Sequence, residues 1–549
     1  MTDVRDRLLL GSLAAVCVAW GCAAERSTSP TPVAGTVVLA PAQYALYTGA
    51  QAAGPLEIPA ADSAGAQYLV VGQFATGVGD LGAHFVLAGA TPSSAAALRI
   101  ALAPAPSPRL PLALRFEDNL RRLDEAAARA SLGRPPARAP AGSAAFRGPP
   151  ALGSQRTFVV CADIACGTTA SVSATVQVVG SHSAIYVDDS APAGGFQPSD
   201  LQQLGAQFDS VIYPIGTAAF GAPSDVDTNG VVLILLTPQV NALTPAAGCG
   251  SSYVSGYFFD YDLAPATRTV YNNGEILYGL VPDPDGTVSC AFTVSQAMAL
   301  LPPTFSHDLQ QMISFNQHVL LRGGTAEVPW LNEALSDLAE ELVGWHYDSL
   351  GGGGGASAEA SDFLSGDVYN AFQYLIYPSG QPIVTLNGST LGVIGGEWLF
   401  LRYLADQFGP GLTQRLEQTA LVGSANVANA TGTPFATLLG RWALALWVSD
   451  LPGFTPDSTL RYRNWAFRTT FASLNAQDPT DFYLAFPLTP GSTSVSTFSL
   501  AGTVTSGSGA YLLVTRPPNA AALALSFTAA GGGALPASGN PQLAIVRLR

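Results

Sequence analysis

His307, Asp308 and Gln311 lie at i, i+1 and i+4 in the segment SHDLQQMISFNQ, and a helix would put the first and last of them on one face. Two imidazoles at that spacing, with a carboxylate after the first, hold a metal ion and activate its bound water. Here the second imidazole is an amide, Gln311, and the carboxylate is an aspartate, Asp308. A second cluster follows in WLNEALSD, where Glu333 and Asp337 are four residues apart and share a helical face with Glu340 and Glu341. The neighbouring Trp330, Leu331, Leu335 and Leu338 make that helix half-buried rather than fully solvated.

The order of these segments resembles the hyicolysin family of gluzincin-type metallopeptidases. The resemblance covers roughly residues 155 to 480 and rests on the His307 helix, the F-N-Q that follows it, and W-L-N-E leading into N-E-A-L-S-D. It extends to AIYVDD (184–189), the D-x-D-x-N-G turn (225–230), Gly256-Tyr257-Phe258 and Asn273-Gly274-Glu275. It implies that His307, position 311 and Glu333 are zinc ligands, that position 308 is the general base, and that Asp337 supports a ligand histidine. The chain departs from the family at the core, with H-D-x-x-Q in place of H-E-x-x-H. An amide is a weaker zinc ligand than imidazole, and Asp308 is one methylene shorter than glutamate. Zinc is therefore expected to bind weakly or not at all, while Glu333 is expected within side-chain reach of His307. Two functions stay open: a pseudo-peptidase whose cleft binds a peptide or protein, and an active zinc endopeptidase acting on exported proteins.

No other histidine repairs the metal set by spacing. His318 is eleven residues from His307, about 16 Å along a helix, and reads as a helix-end or packing residue; His346 reads as cleft wall or surface. His84 sits in a strand pattern and reads as structural. The D-x-D-x-N-G turn begins like a calcium loop, but Leu236 stands eleven residues after Asp225, where an EF-hand has glutamate. A polar turn is the better reading.

The elements around these residues define an α+β protein: a gluzincin-like metallopeptidase domain (155–485) flanked by N-terminal and C-terminal β-sandwich domains. Residues 23–133 read as a tether, a small β-sandwich and a helix from Leu112 to Leu132; 134–154 is a Pro/Ala/Gly-rich linker; 490–549 is the C-terminal β domain. Arg121 and Arg122 in the 112–132 helix read as a solvated face. The His307 helix is expected to begin after Pro302-Pro303 with Thr304 or Ser306 as cap, the helix from Ser199 to be capped by that serine, and Gly351–Gly355 to be a mobile loop. GEWLFLRYLADQFG and PFATLLGRWALALWVSD read as amphipathic helices.

The chain has 549 residues, a net charge of −15 and 24 cationic residues, all arginine, which argues against a nucleic-acid partner. Residues 1–22 read as a lipoprotein signal peptide: Arg5 and Arg7 precede an apolar run too short for a confident span, and Val18–Cys22 resembles a lipobox, with Cys22 acylated. The expected location is the bacterial cell envelope, with the membrane engaged through an N-terminal lipid. Of the six cysteines, Cys161, Cys166, Cys249 and Cys290 are then available for disulfides; three pairings are possible, and Cys161 with Cys166 would clip a hairpin.

Overall fold

The β segments at the two ends of the chain pair with each other in the computed structural model, which describes residues 35–90, 98–101, 111–132, 148–249, 252–350, 357–387 and 390–549. One sheet runs in the spatial order Gly35–Thr36, Leu56–Ile58, Leu523–Ala529, Gly82–Ala90, Phe498–Thr505, Leu98–Ala101. A second runs Gly491–Thr493, Gly509–Arg516, Ala66–Phe74, Pro541–Arg547, Tyr44–Thr48. The expectation of two separate β-sandwiches is thereby corrected: both sheets are built from N-terminal and C-terminal strands together. The physical reason is strand complementarity. Gly509–Arg516 pairs antiparallel with Ala66–Phe74 along its whole length, and Phe498–Thr505 does the same with Gly82–Gly89.

Alternation along Ala66–Phe74 shows how the layers stack. Val70 and Phe74 point into the core between the two sheets, with Phe85, Phe527, Leu512 and Ile545. Leu69 and Val71 point the other way and join the core of the helical body. The Ala66–Phe74 strand is thus buried on both faces.

The chain between the two sets of strands forms a six-stranded sheet in the order Gly256–Phe258, Ile276–Gly279, Val232–Leu236, Ser183–Asp188, Thr169–Val179, Gln155–Cys161. Its three central strands are parallel, and Val232–Leu236 is an uninterrupted apolar run, as a strand covered on both faces requires. Helices Val294–Phe315, Pro329–Leu350, Ala358–Ile376, Leu391–Phe408 and Phe435–Val448 make up the rest of the body. The α+β class holds.

Two helix starts differ from expectation. The His307 helix begins at Val294, because Thr293 and Gln296 form a reciprocal capping box; Pro302 and Pro303 lie inside it and are buried. The helix after Phe196 begins at Pro198, with Gln197 and Asp200 supplying the box instead of Ser199. The disulfides are Cys161–Cys166 and Cys249–Cys290. Cys22 and the rest of the signal peptide, most of the 134–154 linker and the Gly351–Gly355 run lie outside the described residues. No helix among the described residues is long and apolar enough to cross a membrane.

Candidate functional site

Three helices meet at His307. Val294–Phe315 carries His307, Asp308 and Gln311; Pro329–Leu350 carries Glu333, Asp337 and Glu340; Leu112–Ser131 carries Glu117, Arg121 and Asp124. The third was expected to belong to the N-terminal β unit. It packs instead against the central sheet and helices, since Phe116 and Leu120 are fully buried there and Phe116 meets Tyr257 edge-on, ring centres 5.3 Å apart.

The geometry brings together the residues singled out in sequence. His307 Nε2 lies 3.4 Å from Glu333 Oε2, and 2.9 Å from Gln311 Nε2. On the other side of the ring, Nδ1 lies 2.9 Å from Glu340 Oε1 and 3.7 Å from Asp337 Oδ1. The supporting carboxylate nearest the imidazole is therefore Glu340, with Asp337 behind it. Asp308 is buried, and its Oδ2 has no hydrogen-bond partner among the described residues. Glu341, expected on the same face, points away: its carboxylate accepts from the indole N–H groups of Trp398 and Trp465 and faces Arg402.

Sequence reasoning missed Arg121. Its guanidinium donates to Gln311 Oε1 at 2.8 Å, and its Nε lies 3.5 Å from Glu333 Oε1. Asp124, 2.7 Å away, and Glu117, 3.8 Å away, flank it on its own helix. Arg121 is only 7% exposed, which corrects its reading as part of a solvated face; Arg122 does face solvent and bonds Asn119. A signal was present. Arg121 sits at i+4 from Glu117 and i−3 from Asp124, next to Leu120, a pattern for an internal ion cluster as much as for a surface one.

The electrostatics follow from burial of many acids around two cations. Burial acts to depress the His307 pKa, yet hydrogen bonds and charge from Glu333 and Glu340 outweigh it and hold the ring protonated well above the usual range. Burial also acts to raise Glu333, but His307 and Arg121 win and keep it below the ordinary value. Asp308 and Asp337 are pushed well above the ordinary carboxyl range, mainly by burial; Glu117 is pushed up to about 7 by burial and by Glu333.

A catalytic zinc takes about three protein donors and keeps a fourth position for water. Here the Gln311 oxygen and one oxygen of Glu333 are turned toward a guanidinium. A divalent ion about 4 Å from that charge would be repelled by about 8 kcal/mol at an effective dielectric of about 20. The residues present do not fit such an ion while Arg121 is in place. The space bounded by Glu117, Arg121, Pro329 and Glu333 is about 10 Å³, room for roughly one water. His318, on the same stripe, is completely buried elsewhere, 3.5 Å from Glu417 and 4.0 Å from Glu327. His346 lies edge-on to Tyr347, and His84 pairs with Thr503 between strands.

No known family profile matches the chain. A stretch of 142 residues is 28% identical to the neutral metalloprotease ShpI of Staphylococcus hyicus, covering 26% of this chain and 30% of that protein. The chain thus matches less than a third of that relative's length. Among solved structures, an M1 zinc metallopeptidase of Deinococcus radiodurans, bound to a Tyr-Ser-Ala substrate, aligns over 53% of this chain and 51% of its own with 14% identity and a TM-score of 0.27, too low to carry an argument. The sequence similarity to ShpI marks a metallopeptidase-like region in the chain.

Proposed function

We propose that this protein is a pseudo-peptidase of hyicolysin type, in which the cationic centre of the site is supplied by Arg121 instead of zinc. The observation that carries the reading is the Arg121 guanidinium lying against Gln311 and Glu333, two of the three positions that ligate metal in the family pattern. A buried acid cluster needs a counter-charge to persist in the folded state; Arg121 and His307 supply it. The 112–131 helix sets Arg121 against Gln311 and Glu333, so a peptide or protein partner that engages those two residues competes with it. Elemental analysis of the purified protein tests the reading, together with proteolysis of a denatured substrate with and without chelator. Substoichiometric zinc and no chelator-sensitive cleavage are expected; one equivalent of zinc that disappears on His307→Ala would overturn it.

The second reading, an active zinc endopeptidase, is favoured by one observation: donor atoms of His307, Asp337 and Glu340 lie within 4.8 Å of one another and are a possible metal set. A set that drew in Gln311 and Glu333 as well would require Arg121 to withdraw. For either function we propose an envelope protein anchored through an acylated Cys22, supported by two disulfides, which need an oxidising compartment. Labelling with a fatty-acid analogue tests the anchor; an unlabelled, soluble mature chain would remove it.

A further inference from the structure

The D-x-D-x-N-G turn lacks a calcium loop's closing glutamate in sequence, yet the fold delivers one from another strand. Asp225 to Gly230 lead into Val232–Leu236, and Glu275 immediately precedes Ile276–Gly279. These two strands are parallel neighbours in register, Leu233 beside Ile276, and the Leu233 N–H donates to the Glu275 carbonyl at 2.7 Å. The turn and Glu275 therefore meet at the same end of the sheet. One carboxylate oxygen from each of Asp225, Asp227 and Glu275 lies within 4.8 Å of the other two.

Three acids together are not in themselves a site; the state of Glu275 makes the difference. Its side chain is 1% exposed, and Oε1 is held by the Val226 N–H at 2.9 Å and by the Ser224 hydroxyl. Oε2 is buried with no hydrogen-bond partner among the described residues. Among those residues, no arginine or histidine nitrogen lies within 4.0 Å of Asp225, Asp227 or Glu275. A buried, unpartnered carboxylate oxygen beside two more acids is costly unless a proton or a cation completes it, and the cluster of three acids favours the cation.

The backbone is shaped to bring these oxygens together. Thr228 and Gly230 take φ of 61° and 78°, which coils the turn so that the Gly230 N–H reaches Asp225 Oδ1 at 3.2 Å. Asn229 donates its amide to Asp227 Oδ2 and so braces that carboxylate. A Cβ on Gly274 would stand 3.0 Å from Asp227 Oδ2; glycine there lets the strand carrying Glu275 close on the turn.

We propose that Asp225, Asp227 and Glu275 form a calcium site that ties the 225–230 turn to the start of the Ile276–Gly279 strand. The donors are all carboxylate oxygens, the hard-ligand set calcium prefers, and three of them, some bidentate, leave room for water in a coordination shell of six to eight. Zinc would favour nitrogen or sulfur donors.

The test is calcium titration of the chelator-stripped full-length protein by calorimetry, with thermal unfolding in parallel. One site is expected with a Kd on the order of 10⁻⁴ to 10⁻³ M, the range of extracellular calcium modules, and a transition temperature that rises with calcium. Glu275→Gln and Asp225→Asn should each weaken binding by about tenfold or more, since each removes one of three charged ligands. Asp225 is exposed, so its variant keeps the fold even if the buried Glu275 variant does not. Absence of calcium binding up to about 10 mM, well above the expected range, or binding unchanged in Asp225→Asn, would overturn the site.

Discussion

Replacing Arg121 by methionine keeps much of the side-chain volume and removes the charge. The guanidinium is 2.7 Å from Asp124, 3.5 Å from Glu333 and 3.8 Å from Glu117, and its side chain is 6% exposed, so solvent does little to screen these contacts. Removing one partner of a buried ion cluster leaves uncompensated charge and costs about 3–5 kcal/mol. Arg121→Met should therefore lower the urea midpoint by the equivalent of about 3–5 kcal/mol at pH 7.5. The deficit should depend on pH with a definite sign. Without the guanidinium, the folded-state pKa values of Glu117, Asp124 and Glu333 rise. A carboxyl with a raised folded pKa favours the folded state below its unfolded value and loses that stability as pH climbs through the folded value. Glu117 already stands at about 7 against an ordinary 4.5, so the deficit should be smallest near pH 4.5 and complete above 7. Arg121→Lys keeps the charge without the planar fork and should recover only part of the loss. A methionine variant within about 0.5 kcal/mol of the parent at pH 7.5, the effect of an ordinary surface change, would refute the ion-cluster account and return Arg121 to a solvated face.

Gln311→His alone should still bind far less than one equivalent of zinc, whereas Arg121→Met with Gln311→His should approach one, read by elemental analysis; adding Asp308→Glu to that pair is the condition under which chelator-sensitive cleavage should appear. Replacing both cysteines of the 41-residue Cys249–Cys290 span by serine should cost about 4 kcal/mol on a chain-entropy estimate, against about 2 kcal/mol for Cys161–Cys166, five residues apart, compared by denaturant unfolding. His318 is raised above 6.5: burial works to lower it, but Glu417 and Glu327 outweigh both burial and Arg322. Glu327 is pushed up to about 7 by burial, with His318 opposing. Both groups hold protons in the folded state beyond their unfolded values, so their contribution to stability falls as pH rises through about 7 and above. An NMR titration of the His318 ring should give a midpoint above 6.5, lowered by Glu327→Gln; a midpoint at or below 6.5 would refute the cluster.

The pairing of His307 with Glu333 was legible through the family resemblance, which implies both as zinc ligands; helical period added only that each sits on one face of its own helix. Val232–Leu236 was legible as a buried strand from its unbroken apolar run. Arg121 was not, because its partner Gln311 lies 190 residues away, and helical period cannot distinguish a charged stripe that meets solvent from one that meets another charged stripe. Glu341 illustrates the same limit from the other side: one step around the helix from Glu340, it faces Trp398, Trp465 and Arg402 instead of His307. The strands at 66–74 and 509–516 could be read individually. Their pairing could not, since alternation fixes which side chains share a face and leaves the partner strand unspecified.

That pairing also constrains the order in which the molecule can assemble. Gln67 donates to Thr515 across 448 residues of chain. Bringing such distant ends of a flexible chain together costs about 5 kcal/mol before any contact compensates, from the logarithmic growth of loop entropy. The cost shrinks if the intervening body has already collapsed and holds its own ends close. Ile383, in that body, donates its N–H to Ser506 at 3.0 Å, and Gly440 lies so close to Leu46 and Gln542 that a Cβ there would clash. The body thus offers both sets of strands a surface on which to meet. Early strands must wait for late ones, and the sandwich closes as a clasp over a folded interior, so its hydrogen-exchange protection in refolding should be acquired last.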